Sequence, residues 1–153
     1  MDLTIRIITK EEQPPYSLLL LADPSHEMVN DYLKTSDVYV AEKNNNIIGV
    51  CVLYPINSVK AEIKNIAVEP HYQQQGIGNA MMYKVMQEAK VVGYKELIIG
   101  TGNCGFSQLY MYQRLGFEMT EIKKNFFVDN YKEPIFENGI QCKHMVILTK
   151  TLE

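Results

Sequence analysis

The sequence predicts a mixed α/β fold: a sheet that holds both antiparallel hairpins and one parallel strand pair, with helices on both faces. Three observations carry this. Short β-branched and aromatic runs near the start are separated by tight turn signals, the layout of antiparallel hairpins. A helical period runs from about Ile77 to Val92 between two strand-like segments, and a strand, a crossover helix and a strand imply a parallel pair joined right-handedly. The chain has 153 residues, enough for one full core, so a single domain over residues 1–153 is expected.

In chain order, Leu3, Ile5 and Ile7 alternate with Thr4 and Arg6, the period of a half-buried strand. Pro14-Pro15 opens a helical stretch, and Ser25 is placed to cap a second helix that runs to about Lys34. Asp37–Glu42 and Ile47–Tyr54 read as two strands of a hairpin around the Asn44-Asn45-Asn46 turn. Val59–Val68 reads as an interior strand that becomes fully buried at its end. The helix after Gly78 carries Ile77, Met81, Val85, Ala89 and Val92 near helical spacing and stops at Gly93. Leu97-Ile98-Ile99 is a short buried strand, and a shorter helix spans about Phe106 to Arg114. Phe117–Val128 is strand-like, Asp129–Gly139 reads as a loop with an Asn-Gly turn, and Met145–Thr149 is a last strand.

Composition excludes several classes. Hydrophobic residues make up 46%, charged residues 22%, and the formal net charge is −3, so general nucleic-acid affinity is not expected. No apolar run approaches the roughly 20 residues that span a bilayer, so no membrane partner is expected. The first residues lack the order of a signal peptide, and the three cysteines, Cys51, Cys104 and Cys142, show no CxxC pair. A reduced, cytoplasmic protein is the simplest reading. The three histidines have no metal spacing, so no metal is expected.

The most informative stretch is Val68-Glu69-Pro70-His71-Tyr72-Gln73-Gln74-Gln75-Gly76-Ile77-Gly78-Asn79. A strand end, a loop with two glycines and a long helix form a phosphate cradle. Glycines let backbone N–H groups approach an anion, and the helix N-terminus adds partial positive charge. The loop has no lysine, so a nucleotide-like cofactor is held mostly by backbone.

Gln73-Gln74-Gln75-Gly76-Ile77-Gly78, preceded by Asn65–Pro70 and followed by Asn103 and by Leu109–Phe117, resembles the GNAT superfamily of acetyl-CoA-dependent N-acetyltransferases. Tyr112 stands where that family has a tyrosine, three residues and Gly-Phe. The sequence looks most like small, uncharacterised bacterial members with a Glu-Asn-Gly-Ile segment, here Glu137–Ile140. The resemblance implies a GNAT-like mixed, mostly antiparallel sheet with a central splayed parallel strand pair and helices on both faces. It implies acetyl-CoA as cosubstrate, an amine acceptor and a homodimer.

The resemblance also implies roles. Gln73, Gln74, Gln75, Gly76, Gly78 and Asn79 hold the pyrophosphate. Ile66, Ala67 and Val68 offer backbone to the pantetheine arm, as if it were an added strand. Asn103 contacts the cofactor or orients its loop. Tyr112 protonates the departing thiolate, and Glu62, with Glu69 second, accepts the proton of the amine. Gly100 and Gly102 suit a sheet opening. Acidic residues in 16–34 and 127–141 would suit a cationic amine. A non-catalytic acyl-CoA-binding sensor is the alternative, because no base is unmistakable.

Overall fold

Runs of buried β-branched residues build the first strands of the structure, a computed structural model that describes residues 2–153. The chain divides into two compact units, one running to Lys95 and including Glu153, the other Glu96–Leu152. In the first, β1 (Leu3–Ile7), β2 (Asp37–Lys43), β3 (Asn46–Pro55) and β4 (Lys60–Val68) pair in sequence order, all antiparallel. The β2–β3 turn is built on Asn44 and Asn45, both at positive φ, a conformation that asparagine tolerates.

Helices α1 (Tyr16–Ala22), α2 (His26–Leu33) and α3 (Ile77–Val92) belong to the same unit. Ser25 caps α2 as its position predicts, its Oγ accepting the Met28 N–H at 3.2 Å. Leu18 and Leu19 of α1, with Val29 and Tyr32 of α2, pack on Val38, Val40, Val50 and Val52. From α3, Ile77, Met81, Met82, Val85 and Ala89 are buried. Val92 is 67% exposed, so the apolar stripe of α3 ends a turn earlier than its spacing predicts.

An ion cluster ties β1 to the loop that follows it. Arg6 Nη1 and Nη2 donate to the two carboxylate oxygens of Glu12 at 2.7 and 2.9 Å, and Arg6 Nε donates to Glu42 Oε1 at 3.2 Å. The Arg6 hydrogen bonds, then the Thr9 N–H, hold the Glu12 carboxyl down to about 2 from 4.5. A depressed carboxyl contributes stability above its unfolded pKa and loses it as pH falls towards the folded one. The melting-temperature gap between the natural protein and an Arg6→Ala variant is therefore expected to shrink from pH 4.5 down to about 2. A pH-independent gap would contradict this.

The second unit holds β5 (Glu96–Gly102), α4 (Phe106–Arg114), β6 (Glu118–Lys123), α5 (Phe126–Asn130), the hairpin strands β7 (Phe136–Glu137) and β8 (Ile140–Gln141), and β9 (Met145–Thr151). Both β5 and β6 pair antiparallel with β9. The strand-like reading of Phe117–Val128 is corrected after Lys123. Asn125 turns to φ +59 and its N–H goes to His144 Nδ1, so the chain breaks there and Phe126–Asn130 winds into a helix.

The cysteine reading is corrected as well. Cys104 and Cys142, with Cα atoms 5.3 Å apart, form a disulfide across 38 residues of sequence. Cys51 is free and buried in β3, as its apolar surroundings predict. Among the described residues no helix is long and apolar enough to cross a membrane.

Candidate active site

The chain leaves β4 through a short 3₁₀ turn, Pro70–Tyr72, capped by Glu69. Glu69 Oε2 accepts the His71 N–H at 3.0 Å, and Glu69 Oε1 meets His71 Nδ1 at 2.9 Å. Gln74 and Gly76 then take φ of +63° and +82°, flanking Gln75. Turn conformations of this kind point successive N–H groups towards a common concavity, an anion-binding arrangement. The first helical bond of α3 runs from the Ala80 N–H to the Gly76 carbonyl at 3.0 Å. The N–H groups of Ile77, Gly78 and Asn79 therefore precede the ladder and point out of the helix start.

The two glycines serve different ends. Gly76 is required by its φ, where any Cβ is strained. Gly78 is not required by packing: a Cβ there would meet nothing closer than Val68 Cγ2 at 3.9 Å. The glycine instead keeps the approach to the helix N-terminus bare. Gln73 braces the loop, its Nε2 donating to the Val68 carbonyl at 2.9 Å. Gln75 Nε2 reaches the His71 carbonyl at 3.4 Å.

The end of β4 is only partly buried over Ile66, Ala67 and Val68, contrary to the fully buried end expected. Its backbone is sorted by the ladder with β3. The Glu69 N–H donates to the Ile48 carbonyl at 2.8 Å, and Ala67 pairs with Val50 in register. In an antiparallel ladder alternate residues point their N–H and C=O groups to opposite edges. Glu69 and Ala67 thus face β3, while Ile66 and Val68 turn their backbone groups away from it. Of the three backbone donors expected, Ala67 is committed to the sheet.

Glu62, the first base candidate, lies on β4 with Oε1 3.3 Å from Lys64 Nζ. Lys64 also sits over the Tyr54 ring, 5.0 Å from its centroid. Glu69, the second candidate, is engaged as the cap just described. Farther along β4, past a bulge at Lys64, the sequence reading passed over a buried polar network. Asn65 is 4% exposed, and its Nδ2 donates to the Leu19 carbonyl and to the Tyr32 hydroxyl, both at 2.9 Å. Tyr32 donates in turn to Asp23 Oδ2 at 3.3 Å, and burial pushes its hydroxyl pKa well up. The signal was present: asparagine stands in the inward series Ala61, Ile63, Asn65.

In the second unit Asn103 is an anchor. Its Oδ1 accepts the N–H groups of Lys143 and His144 at 2.8 and 2.9 Å, and its Nδ2 donates to the Gln141 carbonyl at 3.2 Å. Of the two roles expected, this geometry serves loop orientation. Asn138, in the β7–β8 turn, adds a bond from Nδ2 to the Cys104 carbonyl at 2.9 Å. Gly100 and Gly102 have packing reasons: side chains there would collide with Met145 and crowd the two bonded sulfurs. Tyr112 of α4 is 3% exposed, its ring 6.3 Å from that of Phe117. A cavity of about 120 Å³ is lined by Phe127, Tyr131, Glu133, Ile135, Gln141 and Cys142, among others, within the late segment expected to meet the acceptor.

A strand end that runs into a backbone anion cradle suits a nucleotide-like cofactor. Known proteins agree. The sequence model of the Acetyltransferase (GNAT) family matches residues 5–117. The Bacillus subtilis protein described as "Uncharacterized N-acetyltransferase YvbK" is 43% identical over 133 residues, 87% of this chain and 86% of that one. The crystal structure of a GNAT family acetyltransferase from Elizabethkingia anophelis with acetyl-CoA bound is 52% identical and superposes with a TM-score of 0.96 over 98% of both chains. A structure named IAA acetyltransferase, from Bacillus cereus, is 41% identical with a TM-score of 0.94, over 99% of this chain and 100% of that one. The chain belongs to the acetyltransferase (GNAT) family and is an acetyl-CoA-dependent N-acetyltransferase.

Proposed function

We propose that this enzyme moves the acetyl group of acetyl-CoA to a primary amine of a small molecule or peptide by direct attack, within one domain over 1–153. The cradle geometry supports this reading most strongly: N–H groups that precede the α3 ladder converge beside a glycine that packing does not demand. The acetyl-CoA held by the Elizabethkingia anophelis relative supports the same cosubstrate here. A cytoplasmic setting, where acetyl-CoA is made and used, is part of the proposal.

In this reading the pyrophosphate lies against the N–H groups of Gln74, Gln75, Gly76, Gly78 and Asn79. The amides of the arm bond to the backbone of Ile66 and Val68. A lysine-like amine, with pKa ~10.4, gives up a proton to Glu62 through water before it attacks. The C–N bond forms, and the oxyanion is met by the Val68 N–H. The C–S bond then breaks, and Tyr112 gives the departing thiolate a proton. Release of CoA thiol is the assay, run with a panel of polyamines, aminoglycosides and peptide N-termini. Acceptor-dependent thiol release is expected. Tight acetyl-CoA binding with no acceptor-dependent release across the panel would contradict the transfer.

A further inference from the structure

The loop before α4 and the segment after β8 are joined in two independent ways. One is the disulfide between Cys104 and Cys142. The other is the set of bonds from Asn103 and Asn138, which hold the same stretches of backbone without any sulfur. Once the disulfide opens, these bonds still tether its two halves near each other while the segment opens more often, so the sulfurs can close again as an intramolecular pair at high effective concentration.

Three further observations bear on how it opens. Cys142, 4% exposed, is among the residues that line the cavity of about 120 Å³, and Cys104, 1% exposed, is not, so Cys142 is the nearer of the two to an approach. Exposed Glu137, on β7, brings a carboxylate oxygen within 4.8 Å of both sulfurs. Cys51 is buried in β3, and burial pushes its thiol up to about 12, so it does not compete in exchange.

We propose that Cys104 and Cys142 form a reversible thiol–disulfide site, opened by low-molecular-weight thiols, whose state sets the order of the 136–144 segment. A thiolate attacks Cys142 Sγ. The S–S bond breaks, and its electron pair leaves on Cys104 Sγ, which takes a proton from solvent. A second thiolate attacks the reagent's sulfur in the mixed disulfide, releasing an oxidised reagent pair and the Cys142 thiolate. Two reagent thiols are oxidised as the protein's disulfide is reduced. The Glu137 carboxylate opposes both the incoming anion and the thiolate that leaves beside it, so it slows opening. The site stands independently of which amine the enzyme acylates.

The test equilibrates protein isolated without reductant in buffers of varied reduced-to-oxidised glutathione ratio. Thiols are then alkylated after denaturation and counted by mass spectrometry, and hydrogen exchange is followed over 136–144. One thiol is expected in oxidising buffers and three in reducing ones. Exchange in the segment should be at least about tenfold faster once reduced. A Cys104→Ser, Cys142→Ser double variant should show the faster exchange in every buffer. Glu137→Gln should open about threefold to tenfold faster than the natural chain. Three thiols in every buffer would overturn the bond, and one thiol in every buffer would overturn its reversibility. Equal exchange in both states would overturn its hold on the segment, and an unchanged opening rate in Glu137→Gln would overturn the carboxylate's part.

Discussion

Replacing Gly78 by glutamate is expected to weaken acetyl-CoA binding by at least about 100-fold, about 3 kcal/mol, while leaving the melting temperature unchanged or higher. The opposite signs are the point of the experiment. For the fold, a side chain at this position has room, since the nearest atom to its Cβ is 3.9 Å away. Glycine is a poor helix residue, and a carboxylate in the first turn of α3 interacts favourably with the helix dipole. For the ligand, the same carboxylate fills the concavity and sets a negative charge where a diphosphate must lie. Calorimetric titration and a melting curve on one preparation separate the two. Unaltered affinity would move the pyrophosphate away from this helix start. Gly76→Ala is the contrasting case: at φ +82° it strains the backbone, so loss of binding there cannot be told from loss of the loop.

Replacing Tyr112 by phenylalanine is expected to lower turnover by about 100-fold and to leave the CoA dissociation constant within about twofold. The hydroxyl acts in this account when the C–S bond breaks, so its loss falls on kcat rather than on ground-state binding. The side chain is buried beside Phe117, so a packing role would show as a lower melting temperature with kcat little changed. Turnover equal to that of the natural enzyme would remove the acid role. A thiol with better leaving ability in place of CoA should restore part of the rate in Tyr112→Phe and little in the natural enzyme.

What could be read from the residues follows from how local their causes are. Ser25 and the Asn44-Asn45 turn specify their neighbourhoods through their own side chains or φ, and each does in the structure what its position suggests. The loop at Gly76 and the start of α3 were legible for the same reason, because a helix start and two glycines are neighbours in sequence. The Cys104–Cys142 bond was not legible, since its partners are 38 residues apart and only the fold of Glu96–Leu152 brings them together. The helical turn at Phe126–Asn130 was hidden by β-prone residues that a left-handed Asn125 overrides. Asn103 shows a finer limit: its importance was visible, but whether it serves cofactor or loop depended on the backbone of Gln141, Lys143 and His144. The commitment of Ala67 to β3 likewise needed the register of the ladder.

The central claim is that main-chain amides of the loop and first turn of α3 hold the diphosphate of coenzyme A. The direct measurement is a titration of ¹⁵N-labelled protein with CoA, followed at each backbone amide, and repeated with phosphopantetheine, which lacks the diphosphate. The account predicts saturable shifts at Gln74, Gln75, Gly76, Gly78 and Asn79 with CoA and much smaller ones at the same amides with phosphopantetheine. CoA binding that leaves those five amides unmoved would contradict it.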